Sequence, residues 1–152
     1  MRITARADYA VRAGAALAAA EPGVPTKGPA IAAAQDIPLN FLENILAELR
    51  HAGLVRTQRG AHGGYLLTRP ASEITIADVI RAVEGPLASV RGLPPEEVGY
   101  QGAAAGLERV WIAVRANLRA VVEHVTLADL AADRLPRRVS ALADDPDAWI
   151  TR

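Results

Sequence analysis

The chain has 152 residues, 51% hydrophobic and 4% aromatic, with no cysteine and a formal net charge of zero at pH 7. That length suits one ordinary domain or a small domain with a dimerisation arm, the apolar content excludes a disordered tail, and the lack of cysteine excludes disulfides, thiolate zinc sites and cysteine-ligated iron–sulfur clusters. The charge is unevenly placed: residues 1–70 carry 8 basic and 5 acidic side chains, and the remainder carries 9 and 12, a split that suits a nucleic-acid-facing N-terminal half.

Arg2 and Arg6 open the chain, but Asp8 interrupts them and no apolar run with a cleavage site follows, so a signal peptide is not expected. No later stretch is long and apolar enough to span a membrane, and the expected location is cytoplasmic. Much of the apolar content is alanine, which favours a mainly α fold. Thr4 is placed to cap a first helix from Ala5 to about Ala20, ended by Pro22 and Gly23. A second helix is expected around Lys27 to Gln35, with Pro29 tolerable only in its first turn. Asp36-Ile37-Pro38 reads as a turn. The third helix, roughly Leu39 to Ala52, sets Leu42, Ile45, Leu46 and Leu49 on one face. Its other face carries Asn40, Glu43, Asn44, Ala47 and His51. Gly53 stands where a left-handed cap belongs, with Leu54 as its apolar partner.

Leu54 to Gln58 and Gly64 to Thr68 read as the strands of a hairpin whose tip is Arg59-Gly60-Ala61-His62-Gly63. Thr75 to Asp78 has the form of a capping box and starts a helix to about Val83. Residues 86–102, rich in proline and glycine, read as a long loop. A long helix is expected from about Ala103 to His124, with Ala104, Leu107, Trp111, Val114, Leu118, Val121 and Val125 forming a heptad seam. Thr126 to Asp129 starts one more short helix, and the tail from Leu135 is expected to be poorly ordered or loosely docked. The implied organisation is a winged helix-turn-helix domain over 1–85, a loop over 86–102, a dimerisation helix with a short following helix over 103–134, and a tail over 135–152.

A helix with one apolar face and one short polar face, followed by a glycine-tipped hairpin bearing arginine, suits a DNA-reading helix with a β-wing. Asn40, Glu43 and Asn44 are the candidates for base edges, since asparagine pairs with adenine and glutamate accepts from cytosine N4. Leu39 belongs to the same candidate interface. A solvated polar face is the commoner meaning of such a helix; the capped junction into the hairpin favours DNA. Arg59 at the tip can enter a narrow minor groove or grip phosphate. His62 shares the tip, where an idle surface histidine is about as common as a phosphate contact. Arg2, Arg6, Lys27, Arg50 and Arg56 are candidate phosphate contacts, each more often a solvated charge when taken alone. The seam residues Leu107, Trp111, Val114, Leu118 and Val121 either pack on their own domain or pair with a second chain, and the small size of the winged domain favours a dimer. Catalytic chemistry is not expected. His51, His62 and His124 lack ligand spacing, and the glycine run at 60–64 has no helix after it to cradle a phosphate.

These residues resemble the bacterial Rrf-type winged-helix regulators, among them the iron–sulfur-cluster-assembly regulator, the nitric-oxide-sensing repressor and the cysteine-metabolism repressor. The matching runs are Asp8 to Arg12, Ile37 to Glu43, Leu49 to Val55, Arg59 to Tyr65 and Ile74 to Gly85, and the resemblance covers roughly residues 1–130. It implies a homodimer built through the long helix, with wing and recognition helix on a palindromic operator. Many members hold a cluster with three cysteines in the loop after the Glu-Gly pair. This chain has none there, and Asp8, which matches a cluster ligand of some members, cannot hold one alone. The expectation is therefore a dimeric DNA-binding transcriptional regulator, a repressor, with no cofactor and no metal. Two readings stay open for the loop: a small-molecule or protein effector binds near Pro86 to Gly102 and near Trp111, or the chain binds DNA constitutively and the loop merely covers the dimer core. The alternative is a protein-binding adaptor that keeps the winged fold and uses the long helix and the loop for a partner.

Overall fold

A computed structural model describes residues 2–151. Seven α-helices and one two-stranded antiparallel sheet make a mainly helical fold among these residues. Helix α1, Ala5–Ala19, is the central element. Thr4 caps it by accepting from the Ala7 N–H, and Asp8 in its first turn suits the positive end of the helix dipole. Its buried face is Ala7, Ala10, Ala13, Gly14 and Leu17. Small side chains there let neighbouring backbones approach closely from several sides.

Helix α2, Gly28–Gln35, ends at Asp36, which adopts the left-handed conformation with φ of 50°. The chain turns through Ile37-Pro38 into α3, Leu39–His51, whose buried face is Leu42, Ile45, Leu46 and Leu49. All four are almost wholly removed from solvent, and burying each contributes about 1.5–3 kcal/mol before entropy is counted. Gly53, at φ of 77°, closes α3. Its N–H reaches the Arg50 carbonyl, and the Leu54 N–H reaches the Leu49 carbonyl at 2.9 Å, which satisfies carbonyls the helix would leave orphaned. Strand β1, Val55–Gln58, follows at once and pairs with β2, Gly64–Leu67, in the register Val55–Leu67 to Gln58–Gly64.

Helix α4, Ile76–Glu84, starts with a complete Thr75–Asp78 capping box and packs on α1. Residues 86–102 are more ordered than a long loop implies. Val90 and Leu93 form a bridge, and Pro95–Glu97 is a single 3₁₀ turn that rests on the following helix. That helix, α5, spans Leu107–Val122 and is shorter at both ends than expected. Ala104 lies in a separate 3₁₀ turn, Gly102–Ala104, and Gly106 caps the helix. Val125 lies past its end and is buried in the domain. The two outer seam positions are thus not on α5, because glycine at 102 and 106 breaks the run at one end and the chain turns back at the other.

Helix α6, Leu127–Ala131, has a second capping box, Thr126 with Asp129, and packs directly on α1. Leu127 is 1% exposed and belongs to the main core. The short helix after the seam is therefore part of the N-terminal packing unit in three dimensions. The tail folds as α7, Arg137–Ala143, and a 3₁₀ turn, Pro146–Trp149, which pack on each other. The Trp149 indole N–H donates to the Ala143 carbonyl, while the Trp149 ring stays largely exposed.

Candidate nucleic-acid interface

Helices α2 and α3 and the β1–β2 hairpin form one unit because the hairpin is tied back to the start of α2. The Thr26 N–H donates to the Tyr65 carbonyl at 3.0 Å, and the Tyr65 N–H returns to the Thr26 carbonyl at 2.8 Å. This approach needs glycine at 64: a Cβ there would stand 2.6 Å from the Thr26 carbonyl oxygen. At Gly63 a Cβ would fall 2.1 Å from the Gln58 carbonyl oxygen, so the second glycine lets the tip fold over its own strand. The wing is thereby held at a defined position beside α3.

Along α3, Asn40, Glu43 and Asn44 are exposed on the turns that face away from the buried leucines, and Leu39 is partly exposed. Arg50 is exposed in the last turn of α3, where a cation also suits the helix dipole. Arg56 projects from β1, and Arg59 and His62 are exposed at the wing tip. Lys27 is exposed at the start of α2, next to the residue that bonds the wing. The unit thus brings Lys27, Asn40, Glu43, Asn44, Arg50, Arg56, Arg59 and His62 onto three connected elements. Arg2 stands apart, lining a hollow of about 540 Å³ with Ile3, Glu84 and Leu118. Arg6 is ion-paired with Glu48 of α3, and that hydrogen bond holds its guanidinium pKa above the usual arginine value. This bond commits Arg6 to joining α1 to α3, a role the sequence alone did not reveal.

Phe41 also escaped the sequence reading. It is 57% exposed and, with Tyr9, Arg6, Asn44 and His51, lines an open hollow of about 860 Å³ between α1 and α3. Its position just outside the 42–45–46–49 apolar set was the only available signal. Asn44 and His51 therefore sit on the edge shared by this hollow and the polar face of α3.

On α5 no residue is buried within the single chain. Leu107, Trp111, Val114, Leu118 and Val121 are each half-buried. Trp111 and Val114 wall a hollow of about 320 Å³ with residues 88–91, so part of the seam is covered by its own loop. Val110 beside them is 51% exposed. No helix among the described residues is long and apolar enough to cross a membrane.

A family model described as "Rrf2: Iron-dependent Transcriptional regulator" matches residues 3–133. Rv1287 of Mycobacterium tuberculosis, named among the HTH-type transcriptional regulators, is 51% identical over 145 residues, which cover 95% of this chain and 90% of that one. The HTH-type transcriptional regulator CymR of Bacillus subtilis is 34% identical over 131 residues, covering 86% of this chain and 90% of its own length. The solved structure of CymR, described as the global cysteine regulator of B. subtilis, superposes with a TM-score of 0.74 at 33% identity, covering 88% of this chain and 98% of CymR. That of T. potens IscR superposes at 0.69 with 28% identity, covering 100% and 93%.

The iron in the family description does not fit the donors of this chain. There is no cysteine, and no group of three or more His, Cys, Asp or Glu converges among the described residues. Asp8 is engaged by Arg12 at 3.1 Å.

Proposed function

The chain belongs to the Rrf2 family of DNA-binding transcriptional regulators, and from that premise we propose that it acts as a homodimeric repressor on a palindromic operator. The observation that carries the dimer is α5: a 16-residue helix with an apolar seam and no residue buried in the single chain. Such a face needs a partner, and a second copy offers an identical seam. Two copies set two α3 helices and two wings on one duplex, with half-sites on the order of 34–36 Å apart.

In this reading Asn40, Glu43 and Asn44 meet base edges in the major groove and Leu39 packs against them. Arg59 enters the flanking minor groove. Lys27, Arg50, Arg56 and His62 hold phosphates, with Arg2 reaching the backbone from the dimer side. Repression then needs only that the occupied operator overlap a promoter. Regulation comes from a small molecule or protein partner bound near residues 86–102 and Trp111, not from a cluster. A genome-wide binding footprint, followed by a shift assay on the recovered sites, tests the proposal. Two-fold-symmetric sites over promoters, with transcription rising when the gene is deleted, are expected. Asymmetric sites or falling transcription would overturn it.

A further inference from the structure

Where α4 hands over to the loop and meets α5, three arginines line one hollow. Arg81 comes from α4, Arg115 and Arg119 come from successive turns of α5, and Gly85-Pro86-Leu87 forms the floor of a space of about 430 Å³. Arginine stays charged whatever its surroundings, so the three guanidiniums repel one another unless anions compensate. Two carboxylates do so in part. Glu123 pairs with both Arg81 and Arg119, and Glu96 pairs with Arg115 at 2.8 Å. Asp78 adds a distant contact to Arg81 at 4.0 Å, but shares itself with Arg69 at 3.7 Å. Of Arg119, only Nε–H has a partner among the described residues.

We propose that this hollow binds a small phosphate monoester. The inference rests on the regulatory reading above and names the chemistry of its effector. A monocarboxylate would only exchange like for like with Glu123 or Glu96. A phosphate monoester brings about −1.5 to −2 charge at neutral pH and three acceptor oxygens, which match guanidinium forks arriving from both sides. The hollow is open to solvent, and its volume leaves room for more than a bare ion. The negative end of α4 opposes an anion at Gly85, but that dipole effect fades within a turn and is weaker than one charge-assisted hydrogen bond. Bound there, the ligand clamps α4, which rides on α1 and so on the DNA-reading unit, to α5, which carries the dimer seam. It would favour whichever spacing of the two reading units it fits better.

The test is calorimetric titration of the full chain, without DNA, with glycerol 3-phosphate and separately with inorganic phosphate, against sodium chloride of matched ionic strength. One saturable site per chain is expected, tighter for the monoester. Arg115→Gln and Arg119→Gln should each weaken it by about tenfold or more, and Arg138→Gln on α7 should not. No saturable binding, equal or tighter binding of inorganic phosphate, or insensitivity to Arg115 and Arg119 would overturn the site. Circular dichroism of each variant confirms folding. Sedimentation of the same samples reads the oligomeric state separately, so a failed dimer and a failed site are told apart.

Discussion

Leu127 lies against Gly14 so closely that both of its terminal methyl carbons stand 3.1 Å from where a Cβ on Gly14 would be. This contact seats α6 on the middle of α1. It returns the chain beyond α5 to the core of the N-terminal unit, which anchors the far end of that helix.

Two opposed effects act at Gly14. Alanine in a helix interior gains about 0.5–1 kcal/mol over glycine, while overpacking a filled core costs about 1–3 kcal/mol. Leu127 is 1% exposed and has little room to yield, so the clash wins. Gly14→Ala should lower stability by about 1 kcal/mol in urea unfolding. In a Leu127→Ala background the same change should become neutral or stabilising, because the obstacle is gone. Equal effects in both backgrounds would refute the contact as the cause.

At the wing tip, Arg59→Ala should weaken operator binding by roughly 1–3 kcal/mol and flatten its salt dependence. Glu43→Gln or Asn40→Ala should instead change which sequence is preferred. Titrations at two salt concentrations against matched and altered operators separate these effects. An Arg59→Ala variant as tight as wild type at both salts would remove Arg59 from the interface.

On the seam, Leu118→Glu should give a folded monomer that loses cooperative operator binding, since an unpaired charge would be buried between chains. Sedimentation of the wild type at micromolar concentration is the check. A wild-type monomer there would end the dimer reading.

Stability should fall on the acid side through identifiable carboxylates. The Thr126 N–H donates to Asp129 at 2.8 Å, as does the Thr126 hydroxyl. These bonds, the backbone one foremost, hold the Asp129 carboxyl below the ordinary aspartate range. Glu123 is lowered by Arg81 and then Arg119, and Glu96 by its own backbone N–H and then Arg115. A depressed folded-state pKa gives stability that is complete above the unfolded value and is lost as pH falls through the folded one. Unfolding measured from neutral pH downward should show this loss below the ordinary carboxylate range. Asp129→Asn should shallow that acid slope without abolishing it. An unchanged slope would exclude Asp129 as a contributor.

Anaerobically purified protein should be colourless, and its DNA affinity should ignore oxygen and nitric oxide, because the chain has no thiolate to hold a cluster. A brown preparation with stoichiometric iron and sulfide would refute this.

What the sequence determined by itself was local. The leucines and isoleucine of α3 recur at helical spacing, Thr4, Thr75 and Gly53 are caps, and Gly63-Gly64 marks the hairpin, because each of these signals acts within a few residues along the chain. The family followed from such motifs standing in order. Only the tertiary structure decided the rest, because it depends on contacts between residues far apart in sequence. It removed Ala104 and Val125 from the seam helix, joined Leu127 to Gly14, and spent Arg6 on Glu48. It also gathered Arg81, Arg115 and Arg119 around one hollow. Periodicity reports which face of a helix is apolar, and it carries no information on which distant face will cover it. That choice is made by shape and charge when the elements pack.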